Sequence, residues 1–145
     1  MAQITRQHVS HAVAQLIPQI ISGIQLDFLA QREVTQRQMV LLIAIHTQGR
    51  CTMSTLARRL HVSMPTVTGL IDRLTNAGYV RRVSEPEDRR HVVVTLTAKG
   101  QDFIRQFQEA IRRRWDDVLH PLDTRELESF HHVVTKLSSR LQAHR

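Results

Sequence analysis

Apolar residues recur along the chain at two different periods, and the switch between them outlines the fold. From Val9 onward, Val13, Leu16, Ile17, Ile20, Ile21, Ile24 and Phe28 fall on one broad helical stripe. Pro18 interrupts it, but the stripe resumes afterwards, so the pattern predicts one bent helix. Thr35 and Gln38 have capping-box spacing. Met39, Leu42, Ile43 and His46 then continue a helix to about Thr47, with Gly49 as its stop. A short helix follows over roughly Ser54–Leu60, with Leu56, Ala57 and Leu60 on one face. Only His61 and Val62 separate it from the next, where Val67, Leu70, Ile71 and Leu74 repeat at i, i+3, i+4, i+7. Ser63 is placed to cap this helix, Pro65 sits in its first turn and Gly78 follows its end.

The period then changes. Tyr79–Val83 and Arg90–Leu96 read as two strands joined by the polar turn Ser84-Glu85-Pro86-Glu87-Asp88-Arg89. Thr97 can cap a long helix carrying Phe103, Ile104, Phe107, Ala110, Ile111, Trp115 and Val118, and Pro121 ends the connection. Asp123 and Glu126 form a second capping box, before Leu127, Phe130, Val134, Leu137 and Leu141 at spacings of three and four. Two short helices at a sharp corner followed by a hairpin make a winged helix-turn-helix. The predicted class is mainly α with a small β-hairpin wing (α+β). The N-terminal stripe and the C-terminal seam exceed what a small winged helix buries, so they predict pairing of two chains through their termini.

Charge sharpens this picture. The 145 residues suit one domain, 1–145, and the formal charge is +7. Between Arg50 and Gly100 there are nine Lys or Arg against four acids, so that third of the chain holds +5 of the +7. A charge run is usually a solvated surface. Here eighteen of the twenty basic residues are arginine, whose planar fork suits phosphate oxygens and guanine edges. Cys51 is the single cysteine, so no internal disulfide framework is possible and a reducing cytoplasmic setting is expected. Val13–Ala30 is broken by Gln15, Pro18, Gln19, Gln25 and Asp27, which makes it neither a signal peptide nor a membrane span.

The run VSMPTVTGLIDRLTNAGYVRR, followed by EPEDRRHVVVTLTAKG, resembles the DNA-binding core of the MarR family, the multiple-antibiotic-resistance type of bacterial transcription regulator. The family's wing pattern, Asp-x-Arg, a short strand and Leu-Thr-x-x-Gly, is matched by Asp88-Arg89-Arg90, Val92–Val94 and Leu96-Thr97-Ala98-Lys99-Gly100. Glu85 stands where many members of the family carry aspartate. The resemblance implies a winged helix-turn-helix core over 34–100, with 1–33 and 101–145 as dimerisation helices. It also implies a homodimer on an inverted-repeat operator in double-stranded DNA, repressing nearby genes until a small, possibly phenolic or aromatic effector changes the spacing of its two recognition helices.

On that reading helix 63–77 enters the major groove, two copies standing about 34 Å apart. Ser63, Pro65, Thr66, Thr68 and Gly69 lie at its reading end. Thr66 and Thr68 offer hydroxyls and methyls, and Gly69 permits close approach. Arg73, Thr55 and Arg58 are candidates for phosphate contacts, with solvated side chains as the competing reading. The resemblance puts Arg90 in the minor groove, where narrowing concentrates negative potential, with Asp88 bracing the wing. Arg81, Arg82, Arg89 and Lys99 would add phosphate contacts.

An effector cleft could be lined by Ile20, Ile24, Met39, Ile43, Phe107 and Ile111, although for each one taken singly a core position is the stronger reading. Nine histidines do not make a metal site: His8 and His11 share a helix face, His131 and His132 diverge, and no third ligand stands nearby. No cofactor is expected. Cys51 beside Arg50 is an alternative redox switch, though a lone half-buried thiol is the commoner case. A winged helix serving a protein or RNA partner is a further alternative. A catalytic role lacks a phosphate-binding glycine loop, paired carboxylates or a Cys-His pair.

Overall fold

In the computed structural model, residues 3–30, 32, 34–84 and 92–143 are described, without the side chains of 25–27 and 30. The elements run α1 (Arg6–Ala30), α2 (Gln36–Gln48), β1 (Cys51–Thr52), α3 (Met53–Leu60), α4 (Met64–Asn76), β2 (Val80–Ser84), β3 (Val92–Leu96), α5 (Ala98–Leu119) and α6 (Thr124–Gln142). The fold is thus mainly helical with a small antiparallel wing sheet, the predicted class.

The expected local signals are present. Pro18 lies inside a continuous α1. Thr35 and Gln38 close a reciprocal box at the start of α2, with bonds of 2.8 and 3.3 Å, and Asp123 and Glu126 do the same for α6. Gly49 and Gly78 take positive φ after α2 and α4. The turn between α3 and α4 uses a less usual device: His61 itself is left-handed, φ 52° and ψ 43°, and its N–H returns to the last carbonyls of α3. That one residue makes the corner.

One strand was not expected. Cys51–Thr52 pairs antiparallel with Val94–Val93, so the sheet is three-stranded in the order β1-β3-β2 rather than a bare hairpin. Two residues are too few to show a period. The hairpin register pairs Val80 with Leu96, Arg81 with Thr95, Arg82 with Val94 and Val83 with Val93.

The chain divides into two compact units, Met1–Ile111 and Arg112–Arg145. In the first, the core joins Phe28, Leu41, Leu42, Ile45, Leu56, Val67, Ile71, Leu74, Val94, Phe103 and Ile104. It lies directly behind α4, whose Val67 and Ile71 are fully buried. The end of α1 is tied to α5 by the Phe28 ring, which meets Phe103 edge-on and Phe107 at a tilt, and by Arg32, which lies over Phe28 and donates to Gln106 at 2.6 Å. In the second, Trp115 and Phe130 rings meet at 6.0 Å, and α6 has no buried residue.

Candidate nucleic-acid interface

Burial of Val67, Ile71 and Leu74 fixes which side of α4 faces outward. Ser63, Pro65, Thr68, Gly69 and Arg73 are exposed and Thr66 is half-buried, so the six predicted positions share the free side. Ser63 caps the helix by accepting from the Thr66 N–H at 3.3 Å, and the two hydroxyls lie 2.8 Å apart. Thr68 donates its hydroxyl to the Met64 carbonyl at 2.9 Å. The hydroxyl hydrogens are therefore largely used within the helix, leaving methyl groups and acceptor lone pairs outward. A Cβ built at Gly69 meets nothing within 4 Å, so that point of the surface is open.

The cationic residues divide into two kinds. Arg58 and Arg73 are exposed and form no ion pair with a described residue, and Thr55 is half-buried against the Thr52 hydroxyl at 2.9 Å. Arg82, by contrast, donates to Asp72 at 2.7 Å, an ion pair joining β2 to α4. Lys99 donates to the Ala77 carbonyl at 2.8 Å with its ammonium 4.6 Å from the Tyr79 ring centre. Arg81 points away from that pair and donates from Nε to Thr95 at 3.4 Å. Asp88, Arg89 and Arg90, with the rest of 85–91, lie outside the described residues.

A joint unnoticed in the sequence holds the far end of α4. The Thr97 hydroxyl lies 2.5 Å from the Gly78 carbonyl and 3.1 Å from that of Tyr79, and accepts the Gly100 N–H at 3.1 Å. The Thr97 N–H also donates to Tyr79 at 3.0 Å. A Cβ at Gly100 would stand 2.1 Å from the Tyr79 oxygen, so the start of α5 meets the end of α4 at a distance only glycine allows. The Leu-Thr-x-x-Gly signal was visible in the sequence; its mechanical purpose was not.

The six proposed effector residues occupy packing positions. Ile20, Ile24 and Met39 are buried, and Ile43, Phe107 and Ile111 are half-buried. None of them lines either of two open cavities, one of about 430 Å³ between α2 and the start of α4 and one at the wing root. Cys51 is fully buried rather than half-buried, with Sγ 2.8 Å from Gln48 Oε1. Burial pushes its thiol up from the usual range, and Arg59, not Arg50, pulls it partly back. A protonated, enclosed thiol is a poor peroxide target. Among the described residues no group of three metal-binding side chains gathers, and no helix is long and apolar enough to cross a membrane.

A buried-backed second helix, an arginine-flanked outer face and a wing together define a winged helix-turn-helix DNA-binding transcription regulator. A profile of the MarR family matches residues 34–92. The HTH-type transcriptional regulator YfiV of Bacillus subtilis is 30% identical over 110 residues, 76% of this chain and 69% of that protein. The transcriptional repressor YetL of the same organism is 28% identical over 72% of this chain and 62% of its own length. The fold matches that of the transcriptional regulator Tm0710 from Thermotoga maritima with a TM-score of 0.85, 22% identity, and coverage of 96% and 97% of the two chains. The chain belongs to the MarR family, whose members are transcription regulators and not enzymes.

Proposed function

We propose that this regulator is a homodimeric repressor of nearby genes in the cytoplasm, binding an inverted-repeat operator and released by a small-molecule effector. The observation that carries the DNA-reading part is the outer face of α4. Its one acid, Asp72, is matched by Arg82, while Ser63, Pro65, Thr66, Thr68 and Gly69 leave small, uncharged surface where base edges would come. Arg58 and Arg73 flank that face as phosphate contacts, and Arg90 enters the adjacent minor groove, braced by Asp88. Exposed apolar faces on α1 and α6 support the dimer, and YetL is a repressor by name. Nothing about Cys51 supports a redox release.

Fluorescence anisotropy on the chain's own promoter duplex, with a scrambled duplex alongside and salt varied, tests the reading. The expected result is selective, salt-steep binding that Arg90→Ala weakens by roughly 10- to 100-fold. Equal, weak binding to both duplexes by both proteins would overturn it.

A further inference from the structure

From its cap at Ser63 to Ile71, α4 carries no Arg, Lys, His, Asn, Gln, Asp or Glu. The side chains that pair with guanine, adenine and cytosine edges through two hydrogen bonds, or accept from them as ions, are therefore missing there. Of the three hydroxyl hydrogens in the stretch, Thr68 gives its own to the Met64 carbonyl at 2.9 Å, and one of the Ser63–Thr66 pair lies between oxygens 2.8 Å apart. One side-chain donor is left. What remains is apolar surface: Met64 is 46% exposed, Pro65 is exposed, and Thr66 and Thr68 carry methyl groups. Met64 and Thr68 stand four residues apart, as do Pro65 and Gly69, so they form two adjacent rows on the helix. Gly69 leaves the second row open, since a Cβ there would meet nothing within 4 Å. The core takes Val67, Ile71 and Leu74 from α4, with Leu70 packed against it, and does not take Met64.

We propose that α4 reads its half-site through thymine C5-methyl groups, and that Met64 sets this specificity. The major groove shows one apolar feature, that methyl, and only A·T and T·A pairs carry it. Met64 brings a flexible, polarizable thioether that adapts to an irregular apolar contact and makes no hydrogen-bond demand that a G·C pair could meet. The hydroxyl lone pairs of Ser63 and Thr66 add acceptors for the N6 amino group of an adenine. A guanine edge, two acceptors side by side, finds one side-chain donor at most on this stretch. The helix thus selects thymine by contact and disfavours guanine by its lack of donors. This rests on the reading that α4 enters the major groove of an operator, and it adds Met64 to the predicted contact residues.

The test titrates the full chain, as wild type, Met64→Ala and Met64→Leu, in fluorescence anisotropy against its own promoter duplex. The same duplex is also made with deoxyuridine at each thymine in turn, and with 7-deazaguanine in place of guanine. Deoxyuridine lacks the C5-methyl, and 7-deazaguanine lacks the N7 acceptor. The expected outcome for wild type is a loss of roughly fourfold for each contacted methyl, confined to thymines in the half-sites, and little change with 7-deazaguanine. The slope of log affinity against log salt should stay as it is, because no charge is removed. Met64→Ala should lose a similar factor on the thymine duplex and almost nothing further on the duplex lacking the contacted methyl, since both changes remove one contact. Met64→Leu keeps the apolar contact and should keep most of the affinity.

Three results would overturn the proposal while leaving the regulator reading in place: selective binding that ignores deoxyuridine, a greater loss with 7-deazaguanine than with deoxyuridine, or a Met64→Ala loss that is the same on both duplexes. Equal, weak binding of wild type to the promoter and to a scrambled duplex would overturn both readings together. Met64 is exposed, so Met64→Ala should keep the wild-type urea midpoint. The deoxyuridine arm uses the wild-type protein and decides the matter even if that variant does not fold.

Discussion

At Gly69 and Gly100 the same deleted side chain has opposite consequences. Gly69 is exposed on α4 with open space where a Cβ would go, so the folded chain gains nothing from its absence. Replacing it with alanine removes backbone freedom from the unfolded chain and should stabilise the protein by about 0.5–1 kcal/mol. If that open spot is where the helix meets base edges, Gly69→Ala must also weaken operator binding. Gly100 presents the reverse case: an added methyl would overlap the Tyr79 carbonyl, a backbone atom fixed by Thr97 from both sides. Gly100→Ala should cost about 2 kcal/mol or more. Urea denaturation of both variants checks the pair. A destabilised Gly69→Ala or an indifferent Gly100→Ala would contradict the geometry.

Between elements, the joint of α4 and β2 sorts the arginines. Asp72 and Arg82 are each partly exposed, so their ion pair contributes at most about 1 kcal/mol to stability. Its larger effect is on charge, because Arg82 reaches a phosphate only by sharing its guanidinium with Asp72. Arg73 has no such companion among the described residues. Arg73→Gln should therefore reduce the slope of log affinity against log salt by about 1, and Arg82→Gln by clearly less. Equal slopes would mean that the pair opens on DNA. The helices and caps of this region were legible because their signals are local. Val67, Ile71 and Leu74 recur within one helix, and Ser63, Thr35 and Asp123 cap residues three positions on. The Asp72–Arg82 pair and the Thr97–Gly78 bond were not legible, since their partners lie 10 and 19 residues apart and meet only through the tertiary fold. β1 left no trace because two residues carry no pattern. The exposure of α4's outer side followed from its period, whereas the diversion of Lys99 to Ala77 depended on where α5 begins.

For the whole molecule, the unsolved surface is apolar. In the first unit, α1 buries Ile20, Ile24 and Phe28 but leaves Val9, Val13, Leu16, Ile17 and Ile21 between 38% and 51% exposed. In the second, α6 buries nothing and exposes Leu127, Phe130, Val133, Val134, Leu137 and Leu141. Single exposed apolar residues are ordinary, but two rows at helical spacing, one in each unit, are not. On the proposed homodimer, seams of this kind are completed by a second chain, which would also supply the second recognition helix. One helix and one wing touch a single half-site. Two linked copies bind with an avidity that exceeds the single-site affinity by about 10²- to 10⁴-fold when their spacing matches the operator. Leu137 is 57% exposed, so a charge there costs the isolated fold little while placing an uncompensated carboxylate in the seam. Leu137→Asp should therefore sediment as a folded monomer where the wild type sediments as a dimer. Its operator affinity should fall by at least roughly a hundredfold, with the contacts of α4 to one half-site retained. A variant that stays dimeric would place the seam elsewhere, and a monomer with undiminished operator affinity would show that each copy reads its site alone.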